Sequence, residues 1–88
     1  MSLSTLSTIA APVLELLRAS GFTDVERDLD TSVRLAASGD AAALERIEGL
    51  CSVKALGDLY VKGVSGNDWW QMLSELRVAA RACRGQAL

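Results

Sequence analysis

Residues 49–66 read Gly49-Leu-Cys-Ser-Val-Lys-Ala-Leu-Gly-Asp-Leu-Tyr-Val-Lys-Gly-Val-Ser-Gly66, and the fold turns on how this stretch is taken. It is too apolar for a solvated linker, and Gly57 and Gly63 interrupt it too closely for a long helix. Val53, Leu56 and Leu59 or Tyr60 recur at helical spacing, which predicts a short connector helix over about Val53–Val61. Gly63 and Gly66 then turn the chain into a final helix. On both sides of the connector the sequence reads as amphipathic helix. The expected fold is therefore all-α: one domain over residues 1–88, with four main helices, the connector, and mostly antiparallel neighbours because the loops are short.

Working outward, Leu6, Ile9, Ala10, Val13 and Leu17 share one face of a first helix predicted over about Thr5–Ala19. Pro12 lies inside that pattern, so the reading is a frayed or kinked beginning and a firm helix through Arg18, ended by Ser20-Gly21. Thr23 and Glu26 have the spacing of a capping box, opening a second helix that buries Val25, Leu29, Ser32, Val33 and Ala36, with Phe22 at its start. Gly39 ends that helix and Asp40 caps a third, Ala41 to about Glu48, with Leu44 and Ile47 inward. Past the connector, Asn67 or Asp68 is the expected cap of a last helix running to about Arg84. Its apolar face is Trp69, Met72, Leu73, Leu76, Ala80 and Cys83.

Half the residues are hydrophobic but only 5% are aromatic, so the core is aliphatic and alanine-rich. The net charge of −2 argues against a general attraction to nucleic acid or to anionic membrane. The longest uninterrupted apolar run, Ile9–Leu14, is far shorter than the roughly 20 residues of a membrane span. Met1–Ser7 carries no positive charge ahead of an apolar run, as a secretory leader would. Cys51 and Cys83 have no metal-ligand spacing and read as reduced, packed thiols. These features predict a soluble, cytoplasmic protein.

The chain has no histidine, which removes the commonest general base, the commonest metal ligand and every nucleophile arrangement built on imidazole. Asp24, Glu26, Asp28 and Asp30 alternate as in a calcium loop, but Leu29 and Leu35 stand where that loop needs glycine and a bidentate glutamate. No cofactor or metal is expected, and no catalytic residue. The acidic second helix reads instead as a charged surface. The most unusual surface is a flank of the last helix, where Trp70, Arg77, Arg81 and Arg84 fall together, roughly 115° from the centre of the apolar face for Trp70. Trp and Arg are enriched at interface hot spots, so this flank, with Asp24 and Asp28, forms the candidate partner-binding set. The alternative has Trp70 covering the connector and the arginines pairing with the acidic second helix or complementing the helix dipole.

Leu16-Leu17, Gly21, the acidic second helix, Gly39-Asp40 and Leu56-Gly57-Asp58-Leu59 come in an order that resembles a family of small bacterial helical domains of unknown function. The likeness spans about Leu14–Arg81. It departs where Cys51-Ser52-Val53-Lys54 replaces a glycine-rich turn and where Gly57 stands in place of Asn. The resemblance implies no activity; it implies an accessory or immunity-type binder. The expected function is a non-enzymatic protein-binding module. The alternative is a self-associating structural domain whose Trp70 flank packs on a second copy.

Overall fold

A computed structural model describes residues 3–52, 55–59 and 61–86. Four helices, α1 (Leu3–Ala19), α2 (Thr23–Ala37), α3 (Ala41–Leu50) and α4 (Gly66–Gln86), pack in a ring, each against the next and α4 against α1. Among the described residues there is no strand. Leu6, Val13 and Leu17 of α1, Leu29 and Ala36 of α2, Leu44 and Ile47 of α3, and Leu73, Leu76 and Ala80 of α4 close one aliphatic core. Each set recurs at helical spacing, so the buried stripe of every helix is written in its own sequence.

Two short turns set the antiparallel order. Gly21 adopts φ +87°, the Gly21 amide donates to the Arg18 carbonyl (3.2 Å), and the Phe22 amide donates to the Leu17 carbonyl (2.9 Å). This is a Schellman closure, in which a glycine free to take the left-handed region satisfies the last carbonyls of the helix. The same closure ends α2 at Gly39 (φ +97°), with the Asp40 amide donating to the Leu35 carbonyl (3.1 Å). Asp40 also accepts hydrogen bonds on its side chain from the Ala42 and Ala43 amides, so one residue finishes α2 and caps α3.

Two local expectations are corrected. The capping box at Thr23 and Glu26 does not form, because α2 begins one residue earlier than that reading requires, with Phe22 as its cap and no side-chain capping bond. Glu26 instead accepts from Arg18 at 2.8 Å, across the α1–α2 turn. The cap of α4 is Ser65, not Asn67 or Asp68: its carbonyl accepts from the Trp69 amide (2.9 Å) and its hydroxyl from the Asp68 amide (3.1 Å). In α1 the helix begins at Leu3 and runs through Pro12 to Ala19. Proline in a helix interior costs about 3 kcal/mol. Burial of Leu6 and Ala10 before it and Val13 and Leu17 after it holds the helix together on both sides.

The connector is not a helix over Val53–Val61. Its helical part is a single 3-10 turn, Leu56–Asp58; Val53, Lys54 and Tyr60 lie outside the described residues. Ala55 (φ −111°, ψ −109°) and Leu59 (ψ 139°) leave the helical region on either side. The Ser52 carbonyl accepts from both the Ala55 amide (3.2 Å) and the Gly57 amide (3.0 Å), three and five residues on, in place of the four-residue step of an α-helix, and the Leu59 amide closes the 3-10 turn on the Leu56 carbonyl (3.2 Å). The connector matters because α3 is short. The pairs Glu45–Arg84 and Glu48–Arg81 show α3 running antiparallel to the C-terminal half of α4. The N-terminal half of α4 extends past the end of α3. The connector covers it there, burying Leu56 and Val61 and accepting a hydrogen bond from Trp69 Nε1 on the Leu56 carbonyl (2.9 Å).

Candidate functional site

Trp69 and Trp70 are neighbours with different surroundings. Trp69 is 2% exposed, at the centre of the buried face, and Trp70 is 37% exposed. One side of the Trp70 ring lies on the connector: a Cβ added at Gly57 would stand 3.2 Å from ring atom Cζ3 and 3.0 Å from the Ser52 carbonyl. Glycine at 57 leaves the ring room to approach the turn. Trp70 therefore covers the connector and also presents an edge to solvent.

Of the arginines on its flank, Arg81 and Arg84 are engaged within the chain. Arg81 Nε donates to Glu48 Oε1 (3.2 Å), and Arg84 lies 3.0 Å from Glu48 Oε2 and 3.7 Å from Glu45. The Arg84–Glu48 contact is an ion pair without a well-directed hydrogen bond, since Glu48 Oε2 is buried with none. The acids they meet belong to α3, not to the acidic second helix, because α2 is diagonal to α4 in the ring. Arg77 is exposed and forms no ion pair among the described residues.

The acids of α2 are taken up by other partners. Asp28 receives Arg46 on both oxygens (2.7 and 2.8 Å), and Asp30 pairs with Arg34 one turn on at 3.0 Å. Asp24 is exposed in the first turn of α2, where the helix dipole favours a negative charge. The structure thus brings Trp70, Arg77, Arg81 and Arg84 together along one helix, and places Asp24 and Asp28 elsewhere on the surface.

The pairs fall in a pattern. Arg18–Glu26 spans the α1–α2 seam, Asp28–Arg46 the α2–α3 seam, and Glu48 with Arg81 and Arg84 the α3–α4 seam. Among the described residues, no ion pair spans the fourth seam, between α1 and α4. That seam instead holds a groove of about 380 Å³ between Ile9 of α1 and Gln71, Ser74, Glu75 and Val78 of α4. Val78 is 61% exposed, more than any other large apolar side chain described. Sequence reasoning missed it, although its position opposite the apolar stripe of α4 is visible in a helical projection.

The Cys51 thiol is a poor nucleophile here. Cys51 is fully buried, and burial pushes its thiol up to about 12; the Arg77 charge pulls the other way without overcoming it. Raised this far, the thiol stays protonated at neutral pH. Cys83 is buried as well. Among the described residues no group of three potential metal ligands converges. No described helix is long and apolar enough to cross a membrane. Comparison with known proteins finds no matching family model, no matching curated protein and no matching solved structure.

Proposed function

We propose that this chain is a non-enzymatic protein-binding module that engages its partner through the Trp70 flank of α4. The observation that carries this reading is the pairing of a 37% exposed tryptophan with Arg77, one of the few exposed cations left without a carboxylate among the described residues. Trp70 supplies a large apolar surface at low conformational cost, because its ring is already seated on Gly57. Arg77 offers five donors to an incoming carboxylate or carbonyl. Arg81 and Arg84 form the rim, their charge already partly balanced by Glu48 and Glu45. An accessory or immunity-type binder, which the family resemblance implies, is the narrower form of the same reading.

The test is binding with native protein and the Trp70→Ser variant side by side. The variant is expected to keep its helical circular dichroism and to weaken the complex by about 2 kcal/mol or more. Identical partners bound with equal affinity by both would sink this reading.

A further inference from the structure

We propose, resting on the docking role given above to the Trp70 flank of α4, that its occupant is an amphipathic, acidic helix of a partner protein. An apolar side chain of that helix covers Trp70, and its carboxylates meet Arg77, Arg81 and Arg84.

The first observation is the line these residues make. Trp70, Ser74, Arg77, Arg81 and Arg84 all lie on α4 and follow one another at steps of four, three, four and three residues. At about 100° and about 1.5 Å per residue they keep within roughly 80° of arc and span roughly 21 Å. Alternating steps of three and four are the contact line of one helix on another, and a partner helix of about four turns matches this length. Trp70 stands at one end of the line, apolar and 37% exposed, and the three guanidiniums occupy the other half. Between them Ser74 is small and half-buried, which lets a second backbone come close.

The second observation is the charge along that line. Arg81 bonds to Glu48 through Nε and is 59% exposed, which leaves its terminal amino groups to an outside acceptor. Arg84 shares the same Glu48 and lies 3.7 Å from Glu45. The Arg77 charge reaches the Cys51 thiol at the C-cap of α3, an end where the helix dipole favours a cation. Among the described residues, however, no carboxylate pairs with Arg77. Three guanidiniums thus face two carboxylates, a local positive excess on a chain whose net charge is −2. The acids in the row select among anionic partners. Glu45 is 68% exposed and opposes an unbroken row of phosphates, such as nucleic acid presents. An amphipathic helix sets its carboxylates at chosen steps, so it can aim them at Arg77 and Arg81 and turn a neutral side chain to Glu45. The apolar stripe of the same helix supplies the partner for the exposed edge of the Trp70 ring.

The experiment is selection of random displayed peptides of about 20 residues on the full chain, followed by titration of the enriched sequences by fluorescence anisotropy. Enriched peptides are expected to carry acids at helical steps, beginning about two turns from an apolar residue, and to gain helical circular dichroism on binding. Their affinity should fall as salt rises. Arg77 has no ion pair to lose among the described residues, so Arg77→Glu should keep the fold and weaken these peptides at least about tenfold. Arg27→Glu makes the same charge change at an exposed arginine of α2 and should leave binding unchanged. A selection that enriches nothing, or only neutral or basic peptides, overturns the proposal, and so do acidic peptides indifferent to Arg77→Glu. Neutral peptides that are lost on Trp70→Ser would leave the flank a docking surface and remove its acidic partner. Acidic peptides unaffected by Trp70→Ser would remove the docking role itself, and the proposal with it. Single-stranded DNA of random sequence that binds more tightly than the peptides would assign the flank to phosphates and overturn the proposal equally.

Discussion

The two sides of α4 are built differently. Toward α3 and the connector, α4 is held by a buried hydrogen bond from Trp69 to the Leu56 carbonyl and, at the surface, by Glu48 between Arg81 and Arg84. Toward α1 it is held by aliphatic burial, with an open groove and no ion pair among the described residues. One side is directional and specified by polar groups; the other is apolar and adaptable. The contrast separates what fixes the position of α4 from what stabilises it. Exposed pairs are worth about 0.2–1 kcal/mol each, whereas a fully buried large apolar side chain is worth about 1.5–3 kcal/mol.

Replacing the buried tryptophan should have the largest effect. Trp69→Ala removes the ring from the core and leaves the Leu56 carbonyl without its indole donor, so a loss of about 3–5 kcal/mol is expected by chemical denaturation. A loss under about 1 kcal/mol would mean that the connector side is not the anchored side.

Gly57→Ala comes next. The added methyl meets the Ser52 carbonyl at 3.0 Å and the Trp70 ring at 3.2 Å, so either the turn opens or the ring lifts, at about 1–3 kcal/mol. Trp70 fluorescence separates from Trp69 fluorescence in a Trp69→Phe background, and a red shift there on Gly57→Ala marks the ring lifting. An unchanged emission with unchanged stability would show that Trp70 is not seated on the turn.

The smallest effect is expected from Glu48→Gln, which removes the charge shared by Arg81 and Arg84. It should cost about 1 kcal/mol or less at low salt, and the difference from the native chain should shrink as salt rises. A salt-independent loss of several kcal/mol would reverse the comparison, making the polar seam the main source of stability.

Much of this architecture is legible in the residues. The stripes of α1 to α4 follow from apolar spacing, and Gly21, Gly39 and Asp40 mark their turns, because each places a backbone requirement on one residue type. The errors share a physical origin. The capping box at Thr23 fails because α2 starts one residue earlier, at the tight turn after Gly21, and Glu26 pairs with Arg18, eight residues back and alongside only after the helices fold against each other. The cap at Ser65 is legible as Ser-x-x-Asp through Asp68, but Asn67 and Asp68, nearer the apolar run, offer a competing start for the helix. The connector resisted because its geometry answers to Trp69 and Trp70 from another element, not to its own periodicity. For the surface, spacing placed Trp70 and the three arginines on one flank. It could not show that Arg81 and Arg84 are matched by Glu48 of α3, because that depends on which helix lies alongside.

Asp40 closes α2 and opens α3 in the same residue, so the two helices meet across only Ser38, Gly39 and Asp40. Between α3 and α4, by contrast, lie fifteen residues whose described part holds a single 3-10 turn. There the tie is made by a side chain: the Trp69 indole, bonded to the Leu56 carbonyl, fastens the first turn of α4 to the segment that leads into it. One junction is closed by backbone and a capping carboxylate, the other by a buried ring, so a single substitution at residue 69 reaches the chain's longest connection as well as its core.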